Sequence, residues 1–521
     1  MNRTESVKYP IGIQSFAKLR ENNYLYVDKT KYVYKLISNQ SYYFLSRPRR
    51  FGKSLLLSTI EAYYQGRREL FKGLAIESLT DKWEPHPVLH LDLNNREYKD
   101  ETSLIAELNA NLEHWEIIYG DEKKDRAPEE RFAYIIRRAC EKTGRKVVIL
   151  IDEYDKPLLN TIHRPELADV YRSQLKAFYS NMKTMDAYIE MAMLTGVARF
   201  SKVSIFSDLN NLWDISFSEK FSAICGITSE ELSHYFQDGI GELSKIMQCS
   251  KGDILKQLRK KYDGYHFSQH SPDIFNPFSI VNAFADMRMG DFWFDSGTPT
   301  FLFHLLECGN LPFRKIAPSV ISRRYLESAG LLSSDPMPAF YQSGYLTIKN
   351  YDPDFQEYIL DYPNEEVKFG FLEYLLRHVV PEVESRRGFS IPDFVRDVRS
   401  GKIESFMRRM ESLVADVPYS EKGSAESHFQ NLVYLLFTLM GHYTRMEDRT
   451  SDGRIDLQVE TSGYIYIFEF KIDSTSRAAM EQIRDKKYWL RDTLSGKEIY
   501  LIGVNFDTST RRLSEPVIER P

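Results

Sequence analysis

From Tyr42 to Leu194 the chain alternates short apolar runs with amphipathic stretches. Tyr42-Tyr43-Phe44-Leu45-Ser46 reads as a buried strand. Lys53 to Tyr64 follows with Leu56, Leu57, Ile60 and Tyr63 at helical spacing, which predicts a helix with one apolar face. Pro87 to Leu93 reads as a second strand. Val147-Val148-Ile149-Leu150-Ile151 is apolar at every position and largely β-branched, the pattern of a parallel strand covered on both faces. Ile189 to Leu194 is a weaker fourth strand. Strands separated by helical stretches predict βαβ units and a mainly parallel sheet with flanking helices. From about Glu230 to Ala415 the pattern turns mostly helical, with breaks at Pro272, Pro277, Pro312 and Pro318, and Pro353 to Pro363 reads as turns and irregular chain. After Pro418 it changes again. A helix over Glu426 to Met440 precedes alternating strands at Ile455 to Val459 and Tyr464 to Phe470. A helix over Met480 to Asp492 and a last strand over Glu498 to Val504 complete an αββαβ order, a second α/β domain.

Composition narrows the class. A chain of 521 residues has room for about three domains. Its 42% hydrophobic and 27% charged residues place it between disordered and membrane proteins. The longest near-continuous apolar run, Leu432 to Met440, is less than half a membrane span, so no membrane partner is expected. Met1 to Tyr9 is polar with no apolar stretch behind it, unlike a secretory signal. Cys140, Cys225, Cys249 and Cys308 are scattered, which argues against a zinc ribbon or disulfide framework and fits a reducing cytoplasm. A net charge of −5 leaves nucleic acid open as a partner, since a local basic cleft suffices to hold phosphates.

The first candidate chemistry lies between the first strand and its helix. Arg47-Pro48-Arg49-Arg50-Phe51-Gly52-Lys53-Ser54 has the setting of a Walker A loop, GxxxxGK[ST], whose backbone N–H groups wrap phosphates at a helix N-terminus. The Gly52-Lys53-Ser54 core is intact; in this reading Lys53 would reach the β- and γ-phosphates of ATP and the Ser54 hydroxyl would ligate magnesium. Arg49 and Arg50 add positive charge. Arg47 departs from the pattern, because it stands at the first glycine position. A basic turn on an ordinary helix cap is the alternative, which the strand before and the helix after weigh against. Asp152-Glu153 follows the buried run directly and offers a magnesium ligand at Asp152 and a base for the attacking water at Glu153. An acidic helix N-terminus explains the same residues. Thr195-Gly196-Val197-Ala198-Arg199 follows the fourth strand. There a polar residue senses the γ-phosphate and Arg199 stabilises transition-state charge, in cis or from a neighbouring subunit; a surface arginine after a turn is the equal alternative.

These segments, with Tyr9-Pro10-Ile11-Gly12-Ile13, Tyr26-Val27-Asp28-Lys29-Thr30, Asp152-Glu153-Tyr154-Asp155-Lys156-Pro157, Phe206-Ser207-Asp208-Leu209-Asn210-Asn211-Leu212 and Tyr262-Asp263-Gly264-Tyr265, resemble the AAA-ATPase-like proteins of bacteria and archaea over about Val7 to Phe284. An arginine in place of the first Walker glycine is usual in that family. The resemblance implies a P-loop ATPase fold; turnover and substrate do not follow from it.

The last domain carries a second constellation. Alternation puts Glu469 and Lys471 on one face of a strand and Phe470 on the other. Asp456 lies on the preceding strand, where antiparallel pairing brings it beside Glu469. Two hard carboxylates there suit magnesium, with Lys471 to position water or offset developing charge, and Glu426 on the preceding helix either to complete the metal site or to hold its ligands from behind. Phosphodiester hydrolysis is the reaction such a group serves. A solvated cross-strand salt bridge is the bland alternative; the buried character of Ile467, Phe468 and Phe470 weighs against it.

Glu426, Gly453-Arg454-Ile455-Asp456, Glu469-Phe470-Lys471 and Gln482 together resemble the PD-(D/E)XK nuclease superfamily over about Ile391 to Asn505. The resemblance implies metal ligands at Asp456 and Glu469, a catalytic lysine at Lys471 and an auxiliary role for Gln482. The expected organisation is an ATPase-like domain at 1–285, a mostly helical connection at 286–390 and a nuclease-like, restriction-endonuclease-like domain at 391–521. The expected function is ATP binding and hydrolysis coupled to magnesium-dependent cleavage of nucleic acid, DNA ahead of RNA, by a cytoplasmic protein that can form homo-oligomers. The alternative is a nucleotide-dependent switch whose nuclease-like domain binds nucleic acid or protein without cutting.

Overall fold

The apolar runs of the first half become one parallel sheet. The computed structural model describes residues 7–39, 41–199, 209, 211–295, 306, 312–328, 335–380, 390–415, 425–441, 445–451 and 454–521. Two compact units divide the chain: Met1–Gly309 with Ala317–Val367, and Asn310–Ile316 with Lys368–Pro521.

In the first unit, β1 (Tyr42–Ser46), β2 (Val88–Asp92), β3 (Val147–Asp152), β4 (Ile189–Gly196) and β5 (Leu212–Asp214) form a sheet in the order β2-β3-β4-β1-β5. Every pairing is parallel. All of β3 is buried, as a two-sided strand of β-branched residues requires. Ser46 stands beside Gly196 and Asp92 beside Asp152, so the residues leaving β1, β3 and β4 emerge together at the carboxyl edge. Ligands of α/β sheets bind at that edge. The helix Lys53–Tyr64 buries Leu56, Leu57, Ile60 and Tyr63, the predicted stripe. The three residues of β5 are too few to show a periodicity.

Downstream, helices Ser229–Tyr235, Gln237–Ile246, Lys251–Tyr262 and Pro277–Ala285 enclose a core of Leu232, Phe236, Ile240, Leu243, Ile254, Leu258 and Phe284. The short strands β6 (Ile227–Thr228) and β7 (Ile274–Phe275) tie its two ends antiparallel. Thr228 and Glu231 form a capping box on the first of these helices. Beside the expected helices stands a three-stranded antiparallel sheet, β8 (Ser319–Ser322), β9 (Thr347–Asp352) and β10 (Glu357–Asp361), in the order β8-β10-β9. The stretch expected to be irregular therefore contains β10. Its burial alternates, with Tyr358 and Leu360 inward, but five residues between turn-rich flanks leave a weak signal.

Two buried carboxyls in this unit give a pH expectation. Glu366 accepts from Ser279 Oγ at 2.7 Å and from the Trp293 N–H at 2.8 Å, and burial pushes it up to about 7. Burial likewise pushes Asp263 up to about 7. Both are raised above their unfolded values, so the folded chain keeps protons that the unfolded chain releases. Their contribution is complete below about pH 4 and lost as pH rises to about 7, at up to about 1.4 kcal/mol per pH unit for each group. Thermal unfolding followed by circular dichroism between pH 5 and pH 7.5 should show this slope in the wild type and a shallower one in Glu366→Gln. Equal slopes would refute the assignment.

In the second unit, β11 (Arg445–Ser451), β12 (Arg454–Glu460), β13 (Tyr464–Ile472), β14 (Glu498–Asp507) and β15 (Arg512–Leu513) run in that order, with β16 (Val517–Glu519) also on β14. Only β13 and β14 pair in parallel. Thus β11, β15 and β16 extend the expected αββαβ core. The helix Ala425–Met440 covers one face, where Phe429 stacks on Phe506 at 4.4 Å and Phe437 meets Phe468 at 5.2 Å. The other face carries Ile465, Ile467 and Leu501 under Met480 and Ile483 of the helix Ser476–Lys486. That helix was expected over Met480 to Asp492. It starts earlier because the Thr475 side chain caps the Ala478 N–H, and it stops where Lys487 turns left-handed at φ 50°, before a 3-10 segment Tyr488–Ser495.

Candidate nucleotide and metal sites

The loop after β1 is held from inside. Arg50 has φ 68° and Gly52 φ 94°, so the chain turns left-handed twice before the helix begins at Lys53. Arg47 is almost fully buried. Its guanidinium donates to the Ser46 and Ser216 carbonyls at 2.8 Å and to Phe221 O at 3.3 Å, and lies 4.0 Å over the Phe267 ring. The residue that breaks the Walker pattern thus braces the loop against the segment after β5. Lys53 is also buried. Its ammonium donates to Arg47 O at 3.2 Å and Pro48 O at 3.4 Å, and faces Glu153 at 3.5 Å. Ser54 is half-buried in the first helical turn. Arg49 and Arg50 are exposed; Arg50 lies 4.0 Å over Phe278, and the Arg49 carbonyl accepts from the Trp293 indole at 3.2 Å.

Across from the loop stands the acidic turn. Asp152 is buried, and its Oδ1 accepts from Thr195 Oγ1 at 2.6 Å and from the Glu153 N–H at 3.0 Å. Glu153 has φ 50°, a strained conformation for a glutamate. Asp155 has no exposed surface and accepts from the N–H groups of Val197 and Ala198. Burial, and after it the Glu153 charge, push Asp155 up to about 7. Ser54 and Asp152 offer hard oxygens of the kind magnesium takes, so the donor set fits that ion. Arg199 does not face Glu153 or Lys53. Its guanidinium pairs with Asp214 and lies 4.9 Å over Phe217, while its N–H donates to Gln342.

Beside the loop lies an apolar pocket enclosing about 660 Å³, open solvent at its mouth included. Pro10, Leu25, Val27, Gly52, Leu55, Ile227 and Phe236 are among its walls. Lys29 also lines it, held by Glu231 at 2.6 Å and Ala223 O at 2.9 Å; burial lowers its pKa.

In the second unit, Glu469 has no exposed surface and its Oε1 accepts from Lys471 Nζ at 2.9 Å. Gln482 Oε1 accepts from the same ammonium, so the strand and the following helix close on one group. The face shared with Ile465 and Ile467 turns Glu469 and Lys471 toward that helix. Asp456 stands directly opposite Glu469 in the β12–β13 register; its side chain lies outside the described residues. Opposed positions of an antiparallel pair share a face, and two carboxylate positions there fit a hard divalent cation. Glu426 is exposed, and its carboxylate accepts from Gln430 at 3.0 Å, one helical turn away, rather than joining Glu469. Gly453, Phe206, Ser207, Asp208 and Asn210 lie outside the described residues.

Sequence reasoning missed the bracing by Arg47 and the burial of Asp155. The signal for the second was on the page: a second aspartate two residues after Glu153, beyond an aromatic residue, in a turn that follows a buried strand.

Comparison with known proteins finds one family match in each unit. A family described as "Predicted AAA-ATPase" matches residues 10–206. The PD-(D/E)XK nuclease superfamily matches residues 424–515. A protein of Azotobacter chroococcum mcd 1, described as "Uncharacterized protein in vnfD 5'region", is 36% identical over 530 residues, covering 98% of this chain and 99% of that protein. The chain therefore belongs to the AAA-ATPase-like proteins that end in a PD-(D/E)XK nuclease superfamily domain.

Proposed function

We propose that the protein binds and hydrolyses ATP at the loop Arg47 to Ser54, and that its last domain cleaves the phosphodiester backbone of nucleic acid, DNA ahead of RNA, with magnesium. In this reading residues 1–285 bind the nucleotide, 286–390 connect, and 391–521 cut. What carries it is that each unit brings a lysine and a carboxylate together where its motif requires them: Lys53 with Glu153 at 3.5 Å, and Lys471 with Glu469 at 2.9 Å.

Backbone N–H groups of the loop and Lys53 hold the phosphates, and the apolar pocket beside Gly52 receives the base. Ser54 and Asp152 hold the magnesium ion. Thr195 fixes the Asp152 carboxylate, and Glu153 orients the attacking water. Arg49 and Arg50 add charge at the mouth, and Arg199 joins the site only by leaving Asp214. In the second unit Asp456 and Glu469 hold a magnesium ion, and Glu426 joins them only by leaving Gln430. Lys471, steered by Gln482, aligns water on the scissile phosphate. Bound magnesium supplies charge neutralisation for the phosphoryl oxygens in both places. A cytoplasmic setting agrees with the free thiols at Cys140, Cys225 and Cys249. Among the described residues no helix is long and apolar enough to cross a membrane.

The test uses the full chain with labelled DNA or RNA, with and without ATP and magnesium, against Asp456→Ala. Phosphate release together with magnesium-dependent cleavage that Asp456→Ala abolishes is the expected result. Tight binding without cleavage would favour the switch instead, and cleavage that survives Asp456→Ala would mark a contaminant.

A further inference from the structure

The segment that leaves β4 is gripped from both sides. On the loop side, the Arg47 N–H donates to Gly196 O at 3.1 Å and Ser46 Oγ donates to Val197 O at 2.5 Å. On the acidic side, the Tyr154 N–H donates to Thr195 O at 3.0 Å and the Tyr154 hydroxyl to Ala198 O at 2.8 Å. Asp155 Oδ2 takes the N–H groups of Val197 at 2.9 Å and Ala198 at 2.5 Å. The other carboxylate oxygen lies against Gly196, where an added Cβ would stand 2.5 Å from it. This grip includes the Thr195 backbone, and the Thr195 hydroxyl holds Asp152.

We propose that Asp155 is a positioning residue of the nucleotide site: its carboxylate fixes the Gly196–Ala198 turn, and through it the Thr195 hydroxyl on Asp152. This rests on the reading that the site hydrolyses ATP. Stability alone does not ask for a carboxylate here. Among the described residues Asp155 Oδ1 has no hydrogen-bond partner, and an asparagine could accept both N–H groups without a buried charge. What a carboxylate adds, in its ionised form, is stronger, shorter bonds to the two amides than an asparagine carbonyl makes, which means a stiffer turn. Stiffness matters at this place because Thr195 aims Asp152, the carboxylate assigned to the metal ion, whose placement relative to the phosphates must hold within a fraction of an ångström. The same turn leads into Arg199, so its orientation also sets where that guanidinium starts.

The test measures ATP affinity and turnover per folded molecule for wild type, Asp155→Asn, Thr195→Val and the double variant. Each single change is expected to lower kcat about 10- to 100-fold, with Kd for ATP within about threefold, because misplacement acts on the reacting geometry. The double variant should fall no more than about twofold below the weaker single variant, since both changes cut one linkage. Independent, multiplying losses overturn the proposal. So does wild-type kcat in Asp155→Asn, which is the result of a purely structural role: a lower Tm with unchanged turnover per folded chain. If Asp155→Asn does not fold, Thr195→Val decides alone, and normal turnover there overturns the proposal. A wild type that hydrolyses no ATP overturns the parent reading and this one together, whereas wild-type hydrolysis with an unaltered Asp155→Asn overturns this one only.

Discussion

Lys53→Ala will lower ATP turnover by a factor of about 10² to 10³, the loss that follows removal of one preorganised charge at a developing anion. The ammonium sits at the base of the loop, nearly without solvent contact, between the carbonyls of Arg47 and Pro48 and the Glu153 carboxylate. Truncation removes the cation from the phosphate site and from Glu153 at once. It also leaves two buried carbonyls without their donor, at a cost of about 1–3 kcal/mol each. Lys53→Met lacks the charge and the donor just as alanine does but fills the space, so it separates the lost cation from the lost packing. Phosphate release should be equally lost in both variants, while Tm should fall more in the alanine variant. Turnover retained in Lys53→Met would mean that the loop does not act on the phosphates.

Glu469→Gln will reduce nucleic-acid cleavage by a factor on the order of 10³, with little change in stability. Glutamine keeps the shape and can still accept from Lys471, but it withholds the anionic oxygen that a divalent cation needs. Lys471→Ala makes the contrast. It also stops cleavage, yet it leaves the buried Glu469 carboxylate without that cation, a change worth about 3–5 kcal/mol in comparable buried pairs. The two variants should therefore look alike in a cleavage assay and unlike in a thermal melt. Cleavage by Glu469→Gln at the wild-type rate would place the chemistry elsewhere.

Much of the layout is legible from residue order because each signal is local. Val147–Ile151, apolar throughout and largely β-branched, has the pattern of a two-sided strand, and Gly52-Lys53-Ser54 stands between a strand and a helix, the setting of a phosphate loop. Glu469 and Lys471 share a face because a strand has period two. Relations across the chain were hidden. Nothing near Arg199 shows that Asp214 will take its guanidinium, since β5 lies beside β1 only after folding. Nothing near Glu426 shows that Gln430 will hold it. Arg47 looked like a defect in a phosphate loop because its acceptors, at Ser216 and Phe221, lie far along the chain. Residue β10 positions were obscured for a different reason: a short alternation between turns carries too few residues to show its period.

Arg47 makes this loop non-portable. Transplanted into an ordinary glycine-type scaffold, it would arrive as a charge with nowhere to donate and no aromatic ring beneath it. Conversely, a single codon change to glycine here would strand the Ser46 and Ser216 oxygens around a vacated space, at about 1–3 kcal/mol for each. The two loop types need different surroundings, and any graft of this one must carry Phe267 and residues 216–222 with it.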